Sequence, residues 1–334
     1  MPTRFAVLGS GAWGTAVAMI LAQNPQHRVS LWSARTEHAD WHASRENTRL
    51  LPGVAIQESI ELTTDIAAAV DRAELLILGV PTAYLRATLR RIASAIPAGV
   101  PIVSLAKGLE IGTFRRPTEI AREELGPRAV AALSGPSHAE EVARGLPTTL
   151  VVAADDSDLA KRIQMRFSTD RFRVYTNDDL LGVELAGALK NVIGIAAGIN
   201  DGLGFGDNSK SALLTRGLAE MARFGVSQGA DVHTFSGLAG MGDLITTCIS
   251  KHGRNRNVGE RLARGETLSA IQAGTAMVVE GIFTAKSVHE QAQARGIDMP
   301  ICDEVYRVLY ENKSPLAAVT DLMLRELRSE SRNV

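Results

Sequence analysis

Lys190 is a charged residue in an otherwise nearly uncharged stretch that runs from Asp179 to Ile199. Its neighbours three and four positions away are alanine, glycine and isoleucine, so the usual ion pair of a helix lysine is missing. Apolar and small neighbours disfavour an ammonium, which suits a group that releases and accepts a proton. A lysine that only extends out of a packed helix is the alternative. Asn191, the next residue, could hold Lys190 or a ligand by hydrogen bonding.

Asp243 and the turn that follows it offer partners for such an ammonium. Asp243 lies in a polar break between helical stretches and could orient Lys190. In the next break, Gly253, Arg254 and Asn255 suit phosphate oxygens, because a guanidinium is a planar fork and a backbone amide is a donor. A solvated basic turn is the other interpretation of this break. An ammonium beside a carbonyl that receives hydride would stabilise the oxyanion and then protonate it.

A glycine-rich turn directly follows the first apolar run of the chain. Gly9, Ser10, Gly11, Trp13 and Gly14 precede a helix-like stretch. This context predicts a dinucleotide site, since glycines allow backbone to approach a pyrophosphate and a helix N-terminus favours its charge. A glycine-rich turn without a ligand is the alternative.

Arg35 follows the second apolar run, where an NAD-selective enzyme commonly has an acidic residue. No acid stands there, and a guanidinium could pair with an adenosine 2′-phosphate or stack on adenine. The position therefore favours NADP use beside NAD, and an ordinary surface arginine is the alternative.

Lys107 follows another apolar run, at the edge where open parallel sheets bind ligands. A solvated loop lysine is the default there. Ser137 and Glu140 are spaced as a capping box just after Gly135, which predicts a helix N-terminus that could also attract an anion. His138, beside this cap, is interpreted as structural.

The elements that must position these residues fall into two halves. Up to about residue 175, short apolar runs alternate with helical stretches, the pattern of a parallel sheet covered by helices. These strand runs are Phe5–Leu8, Val29–Trp32, Leu75–Val80, Ile102–Leu105, Val130–Leu133 and Leu150–Ala153. Long helical segments follow, including Asp179–Ile199 and Ser209–Gln228. The expected fold is α/β, with a Rossmann-type largely parallel sheet in a dinucleotide-binding domain over 1–177 and a mostly helical substrate domain over 178–334.

The composition indicates which classes of molecule this protein could bind. The net charge of −1 does not favour a nucleic acid, so a small-molecule substrate is expected. The two cysteines, Cys248 and Cys302, cannot form a disulfide framework and have no metal-binding spacing, which favours a reducing compartment and no metal. The longest uninterrupted apolar and glycine stretch, Val192–Ile199, is far shorter than the ~18 residues that span a bilayer, so no membrane insertion is expected.

With these residues in view, the chain closely resembles the bacterial NAD(P)-dependent glycerol-3-phosphate dehydrogenase family. The similar stretches are Gly9–Thr15, Ser104–Gly108, Leu133–Glu141, Phe172–Asn177, Gly182–Ala197, Asp201–Asp207, Leu214–Met221, Thr234–Thr247 and Val278–Gly281. The resemblance implies a cytoplasmic homodimer that interconverts dihydroxyacetone phosphate and sn-glycerol 3-phosphate for phospholipid synthesis. By position it implies Lys190 as the proton acceptor or donor. Implied substrate contacts are Lys107, Gly135, Ser137, Asp243, Arg254 and Asn255. Implied cofactor contacts are Ser10, Trp13, Arg35, Lys107, Ala139, Arg254, Val278 and Glu280.

Two positions depart from the family pattern. Leu50 stands where relatives often carry an aromatic residue beside adenine, and Gly253 stands where many carry serine. A ketopantoate-reductase-like enzyme or a 3-hydroxyacid dehydrogenase would share both domains and a catalytic lysine. The turn at Gly253 favours a phosphate over a bare carboxylate. A dinucleotide sensor is the non-enzymatic alternative, because fold alone does not determine function.

Overall fold

A computed structural model describes residues 2–34, 44–275, 277–327 and 329–330. The chain divides into two compact units. The sheet unit contains Met1–Ala106 and Pro117–Leu180, and the helical unit contains Lys107–Arg116 and Leu181–Val334. The sequence suggested one boundary, between residues 177 and 178; the short segment Lys107–Arg116 instead belongs to the helical unit.

The sheet unit is built on an eight-stranded sheet with the strand order β3-β2-β1-β4-β5-β6-β7-β8. The strands are β1 Thr3–Leu8, β2 His27–Trp32, β3 Ile60–Thr63, β4 Leu75–Leu78, β5 Ile102–Ser104, β6 Val130–Ser134, β7 Thr148–Ala154 and β8 Phe172–Asn177. All neighbouring pairs are parallel except β6 and β7, which are antiparallel. The expected largely parallel sheet is confirmed. Because β1, β4, β5 and β6 are parallel, their carboxyl ends lie at one edge of the sheet.

The two edge strands, β3 and β8, have no counterpart among the strand runs read from the sequence. Their buried residues alternate with exposed or half-buried ones, whereas β4, β5 and β6 are buried throughout. An edge strand needs no continuous apolar run, since one of its sides has no neighbour in the sheet. A search for continuous apolar runs therefore finds the central strands and misses the edges.

Helices cover the sheet. They are α1 Ala12–Leu21, α2 Ile66–Val70, α3 Thr82–Ile92, α4 Pro117–Leu125, α5 Ala139–Ala143 and α6 Ser157–Phe167. Apolar side chains of α1 and α6 belong to one buried cluster with residues of the strands, including Val7, Ala16 and Phe167. This core holds the carboxyl ends of the strands in place, and with them the turns that follow.

The helical unit follows β8, as expected for the second half of the chain. Its helices are α7 Leu180–Gly202, α8 Gly206–Ser227, α9 Val232–Phe235, α10 Asp243–Ile249, α11 Arg254–Ala263, α12 Leu268–Ala273, α13 Glu280–Arg295, α14 Pro300–Tyr310 and α15 Pro315–Met323. A single π-helical turn, Leu238–Gly242, leads into α10. The helix predicted over Asp179–Ile199 is α7, and the helix predicted over Ser209–Gln228 is α8, each within three residues of the expected ends.

Helix α7 lies at the centre of the helical unit. It is long and apolar enough to cross a membrane by length and composition, yet 94% of its most apolar window is buried inside the protein. Its apolar surface is therefore covered by other helices of the chain, as in the core helix of a globular domain. Lys190 sits in this helix with only 8% of its surface exposed.

Candidate active site

The glycine turn of the sheet unit joins β1 to α1 through very close backbone contacts. Gly9 has a φ of 119°, and a Cβ on it would lie 2.7 Å from the carbonyl carbon of Gly79 at the end of β4. A Cβ on Gly14 would lie 2.0 Å from the oxygen of Gly9. These two glycines are thus required by the packing of the turn itself.

Gly11 differs from them, because a Cβ there would meet only the oxygen of Gly79, at 3.9 Å. The protein does not need a glycine at this position, but a pyrophosphate lying against the first turn of α1 would. Among the described residues, Trp13 also carries a buried indole Nε1–H without a hydrogen-bond partner. An open face at Gly11 and an unused donor beside it fit a dinucleotide at this turn.

The carboxyl end of β6 forms a second turn at the same edge of the sheet. Gly135 has a φ of 121°, and the hydroxyl of Ser137 donates to its carbonyl oxygen at 2.9 Å. Helix α5 begins at Ala139 with His138 as its N-cap, and the His138 side chain does not cap the N–H groups of the first turn. The prediction that Ser137 and Glu140 form the capping box is wrong, because Ser137 lies one residue too early and bonds to the turn.

Arg35 lies outside the described residues. The sequence predicted that this residue favours the use of NADP beside NAD. Its neighbourhood is described up to Ala34 and again from Ser44. Trp32 ends β2 and donates its indole N–H to the oxygen of Thr64 at 3.0 Å. Leu50, the first departure from the family pattern, is half-buried.

Three charged side chains meet inside the helical unit. The Nζ of Lys107 lies 2.7 Å from Asp243 Oδ2, and the Nζ of Lys190 lies 3.0 Å from Asp243 Oδ1. The side chains are 15%, 10% and 3% exposed for Lys107, Lys190 and Asp243. Lys190 also donates to the hydroxyl of Thr247, one helical turn after Asp243 on α10. The expected contact between Asp243 and Lys190 is present, and one carboxylate is shared by two ammonium groups.

Burial and neighbouring charges affect the pKa values of Lys107 and Asp243 in different ways. Burial lowers the pKa of Lys107 from its ordinary 10.5 to about 8; Asp243 opposes that shift, while the charges of Lys190 and Arg254 add to it. Burial would raise the pKa of Asp243, but the charges and hydrogen bonds of the two lysines outweigh it and lower that pKa. The carboxylate therefore stays ionised while an ammonium beside it can lose its proton close to neutral pH.

Lys107 is held in this position by its own short segment. Arg116, at the end of the segment, forms an ion pair of 2.7 Å with the buried Glu184 of α7. The hydroxyl of Ser287 on α13 donates to the oxygen of Leu109 at 3.3 Å. The segment is thus fastened to the helix that carries Lys190, which explains why it belongs to the helical unit.

Asn191 and Asn255 use their side-chain amides within the protein. Asn191 Nδ2 donates to the oxygen of Lys107 at 2.8 Å, and its Oδ1 accepts from Asn255 Nδ2 at 2.8 Å. Asn255 Oδ1 accepts in turn from the backbone N–H of Gly281 at 3.0 Å. This chain of amides joins the Lys107 segment to the first turns of α11 and α13. The two residues expected to contact a substrate thus also fix the backbone around it.

The glycines near Lys190 serve helix packing. A Cβ on Gly194 would lie 2.6 Å from Thr247 Cγ2, and a Cβ on Gly198 would lie 1.9 Å from the oxygen of Arg256. At both positions a neighbouring helix fills the space that a side chain would need. Close approach of α10 and α11 is what brings Asp243 and Thr247 to Lys190.

The turn before α11 contains the predicted phosphate ligands. Gly253 is the N-cap, and a Cβ there would lie 2.7 Å from the oxygen of Thr247. Arg254 opens the helix, is exposed, and donates to the oxygen of Val278 at 2.8 Å. Glu280, two residues after Val278, begins α13. An exposed guanidinium at a helix N-terminus is a suitable site for a dianion.

The structure brings the predicted residues together in two groups. The helical unit gathers Lys107, Lys190, Asn191, Asp243 and Asn255 in direct contact, with Gly253, Arg254, Val278 and Glu280 on the adjoining turns. The sheet unit holds Gly9, Ser10, Gly11, Trp13, Gly14, Gly135, Ser137 and Ala139 at the turns after β1 and β6. Thr247 was missed from the sequence, although its spacing of four from Asp243 on one helix was a usable signal. Within the described residues, no group of three or more histidine, cysteine or acidic side chains is placed to hold a metal ion.

Comparison with known proteins identifies the family. The model of the N-terminus of NAD-dependent glycerol-3-phosphate dehydrogenase matches residues 4–160, and the model of its C-terminus matches residues 179–320. The glycerol-3-phosphate dehydrogenase (NAD(P)+) of Chlorobium limicola is 48% identical over 329 residues, which cover 97% of this chain and 98% of that protein. The protein of the same name from Geobacillus thermodenitrificans is 47% identical over 332 residues, 98% of this chain and 96% of that one. A crystal structure of glycerol-3-phosphate dehydrogenase from Coxiella burnetii superposes with a TM-score of 0.93 at 39% identity, covering 97% of this chain and 99% of that chain. This chain belongs to the NAD-dependent glycerol-3-phosphate dehydrogenase family.

Proposed function

We propose that this protein reduces dihydroxyacetone phosphate to sn-glycerol 3-phosphate with NADH or NADPH, reversibly, and so supplies glycerophospholipid synthesis. Membership in the family supports the reaction class, the substrate and the nicotinamide cofactor. The observation that carries the proposal is the buried cluster in which Lys107 and Lys190 share the carboxylate of Asp243. Two ammonium groups in a site of low exposure suit a reaction in which a carbonyl oxygen gains negative charge.

The pyrophosphate of the cofactor is assigned to the glycine turn of the sheet unit, and the bound cofactor would supply the hydride from its nicotinamide. Gly9 and Gly14 shape the turn, Gly11 leaves room for the pyrophosphate, and Ser10 and Trp13 are assigned to line it. Arg35 is assigned to the adenosine side. Lys107, Ala139, Arg254, Val278 and Glu280 are assigned to its remaining contacts.

Lys190 is proposed as the proton donor in the reductive direction and the acceptor in reverse. Its ammonium is fixed by Asp243 and Thr247, so the proton is presented in one direction. Lys107, on the other oxygen of Asp243, adds positive charge where the substrate oxygen becomes an alkoxide. Its pKa of about 8 also makes it a second candidate for the proton transfer itself. Asp243 keeps both groups oriented and remains ionised throughout.

The phosphate of the substrate is assigned to the first turn of α11. Arg254 contributes a guanidinium and Asn255 the second N–H of the helix, while the Asn255 side chain holds the neighbouring segments. Gly253 is assigned to the same site as the residue that shapes the turn, since its own N–H donates to the oxygen of Ser250 at 3.1 Å. Gly135 and Ser137 are assigned to substrate contacts from the sheet unit, and Asn191 holds the backbone of Lys107. Anchoring the phosphate uses binding energy remote from the carbonyl to orient it.

A ketopantoate-reductase-like or 3-hydroxyacid dehydrogenase activity is not favoured, because both family models and the full-length relatives agree on glycerol-3-phosphate dehydrogenase. Steady-state oxidation of NADPH and of NADH with dihydroxyacetone phosphate, ketopantoate and an acetoacetyl thioester tests this choice. Rapid turnover is expected only with dihydroxyacetone phosphate. A preference for ketopantoate would overturn the assignment.

A cytoplasmic homodimer that neither inserts in membranes nor binds nucleic acid completes the proposal. The burial of α7 argues against membrane insertion, and the net charge of −1 argues against binding to nucleic acid. Sedimentation equilibrium of the purified protein is expected to give twice the chain mass of 35.7 kDa. A mass of one chain at micromolar concentration would contradict the dimer without affecting the proposed reaction.

A further inference from the structure

Asn47 is a polar residue with 1% of its surface exposed, and its side chain reaches the glycine turn from another part of the sheet unit. Its Nδ2 donates to the oxygen of Ser10 at 3.0 Å and to Thr15 Oγ1 at 3.0 Å. Its Oδ1 accepts from the backbone N–H of Leu50 at 3.3 Å. A buried amide with its donors and acceptor all engaged is a rigid connector between the segments it touches.

We propose that Asn47 is a positioning residue for the cofactor, which holds the glycine turn in the conformation that binds pyrophosphate. The inference rests on the proposed dinucleotide site. Asn47 touches no reacting atom and acts through Ser10 and Thr15.

The peptide plane between Ser10 and Gly11 explains how the contact acts. A trans peptide is planar, so its C=O and N–H point in opposite directions. When Asn47 fixes the oxygen of Ser10, it also fixes the direction of the Gly11 N–H. Backbone N–H groups of such turns are the donors that bind phosphate oxygens.

The second contact of Asn47 ties the same amide to the first turn of α1. The backbone N–H of Thr15 donates to the oxygen of Gly11 at 2.9 Å, so Thr15 marks the point where the turn becomes helix. One side chain therefore bridges both ends of a turn that contains glycine at 9, 11 and 14. Glycines leave such a turn many conformations, and ordering them on binding would weaken affinity. A turn ordered in advance avoids that loss.

Asn47 also positions the segment that follows it. Its backbone oxygen accepts from the N–H groups of Leu50 at 3.2 Å and Leu51 at 2.8 Å. Leu50 replaces the aromatic residue that relatives often carry beside adenine. A change at Asn47 would thus disturb this segment as well as the glycine turn.

Gln57 provides a matched control within the same segment. Its Nε2 donates to the oxygen of Met19 at 3.1 Å, near the C-terminal end of α1. Gln57 is therefore also a side-chain amide that connects this segment to α1, but it does so far from the glycine turn. Losing either side-chain amide removes hydrogen bonds that stabilise the fold. Of the two residues, Asn47 is the one that bonds to the glycine turn.

The test compares Asn47→Ala with Gln57→Ala in the full-length protein without substrate. The measurements are the Tm and the Kd for NADPH, NADH and ADP-ribose by calorimetry. Asn47→Ala is expected to raise each Kd about tenfold, as the loss of two buried hydrogen bonds implies. Gln57→Ala is expected to lower the Tm similarly and to leave each Kd at the wild-type value. A folded Asn47→Ala protein with wild-type Kd, or an equal loss in Gln57→Ala, would overturn the proposal.

Thr15 gives a milder version of the test, for use if Asn47→Ala does not fold. Thr15→Val keeps the side-chain shape and removes the acceptor oxygen, so it is expected to raise the Kd about threefold to fivefold. Thr15→Ser restores the oxygen and is expected to restore the affinity. A wild-type Kd in Thr15→Val would overturn the role given to this contact. Failure of the wild-type protein to bind any of the three ligands would contradict the dinucleotide site itself.

Discussion

The sheet unit and the helical unit each carry a group of candidate site residues, and the two groups are of different chemical kinds. In the sheet unit the turn after β1 is made of backbone: Gly9 and Gly14 are required by contacts between main-chain atoms, and Gly11 leaves an open surface. In the helical unit the site is made of charged side chains that are taken out of water and paired, with Asp243 between Lys107 and Lys190.

This difference has a physical reason. A bound dinucleotide needs donors at fixed places and room for its phosphates, which main-chain N–H groups supply without a change in charge. Proton transfer needs a group whose charge can change, and burial beside other charges is what brings its pKa into the working range.

Lys190→Ala should reduce kcat by at least about two orders of magnitude, because it removes the proposed proton donor. The Kd for NADPH should stay near the wild-type value, since the glycine turn is untouched. Stopped-flow and steady-state kinetics with dihydroxyacetone phosphate measure the first, and calorimetry the second. Lys210→Ala, which removes the lysine paired with Asp201 at 2.6 Å, is the control and should retain turnover. Near-normal turnover in Lys190→Ala would disprove the assigned role.

Gly11→Ala and Gly9→Ala should separate ligand binding from folding within one turn. Gly11 has a φ of −64° and space for a methyl group, so Gly11→Ala should fold with a wild-type Tm. The methyl group should obstruct the pyrophosphate and raise the Kd for NADPH about tenfold to a hundredfold. Gly9→Ala should instead destabilise the protein by more than about 1 kcal/mol, because its φ and the contact with Gly79 both oppose a side chain. Urea unfolding measures that difference, and equal stability of the two variants would contradict it.

The pH dependence of the reductive reaction should follow Lys107. Its pKa of about 8 means that the second positive charge of the cluster is present below that pH and is lost above it. The value of kcat/KM for dihydroxyacetone phosphate should therefore fall as the pH rises through about 8. Lys107→Arg keeps the charge at all accessible pH values and should remove this limb of the profile. An unchanged limb in Lys107→Arg would assign it to another group.

The same group also contributes to stability. Between pH 8 and 10.5 the folded chain binds fewer protons at Lys107 than the unfolded chain does, so its contribution to the free energy of unfolding increases with pH across that window. Asp243→Asn removes the charge that opposes the lowering of this pKa. In that variant the limb of the rate profile should move to a lower pH.

Glu220 should have no effect on catalysis and an effect on stability alone. This buried carboxyl on α8 accepts from the backbone N–H of Ile301 at 2.8 Å and of Cys302 at 3.3 Å, in the first turn of α14. Burial raises its pKa from 4.5 to about 8, against the effect of those hydrogen bonds. Its contribution to the free energy of unfolding should be complete below pH 4.5 and should decrease as the pH rises to about 8.

Glu220→Gln keeps an acceptor for the two N–H groups and cannot ionise. Urea unfolding from pH 5 to 8 should show a flatter dependence on pH in this variant than in the wild type. The kinetic constants at a fixed pH should be unchanged, because Glu220 lies outside the cluster of Asp243. A change in kcat would show that buried charge in this unit acts over a longer range than its contacts indicate.

Much of the fold could be predicted from local patterns. The central strands were visible as continuous apolar runs, and α7 and α8 as long helical segments. The edge strands β3 and β8 were not visible, because alternation over a few residues is a weak signal without knowledge of the neighbouring strand. The helix after Gly135 begins one residue later than a capping box at Ser137 would place it. Ser137 bonds to the turn instead, and the spacing of a capping box alone cannot exclude such a bond.

Some residues of the candidate site could likewise be predicted from local patterns, and others could not. The glycine turn is contiguous in the chain, so its chemistry could be read from Gly9 to Gly14. The partner of Lys190 is 53 residues away and that of Lys107 is 136 residues away, so no local pattern contains both members of either pair. Asp243 was named because of its place in a polar break, but its sharing between two lysines was not foreseen. The brace at Asn47, 37 residues from Ser10, left no local signal at all.

The central strands and the long helices α7 and α8 could be predicted from the sequence alone, as could the need of a helix lysine without nearby acids to find its partner elsewhere. Both follow from interactions between residues close together in the chain. The identity of that partner carboxylate, and the lowering of the Lys107 pKa to about 8, depend on the tertiary structure. Burial and Coulomb energy depend on distances in space, and those distances are set by the packing of glycines and helices far apart in the chain.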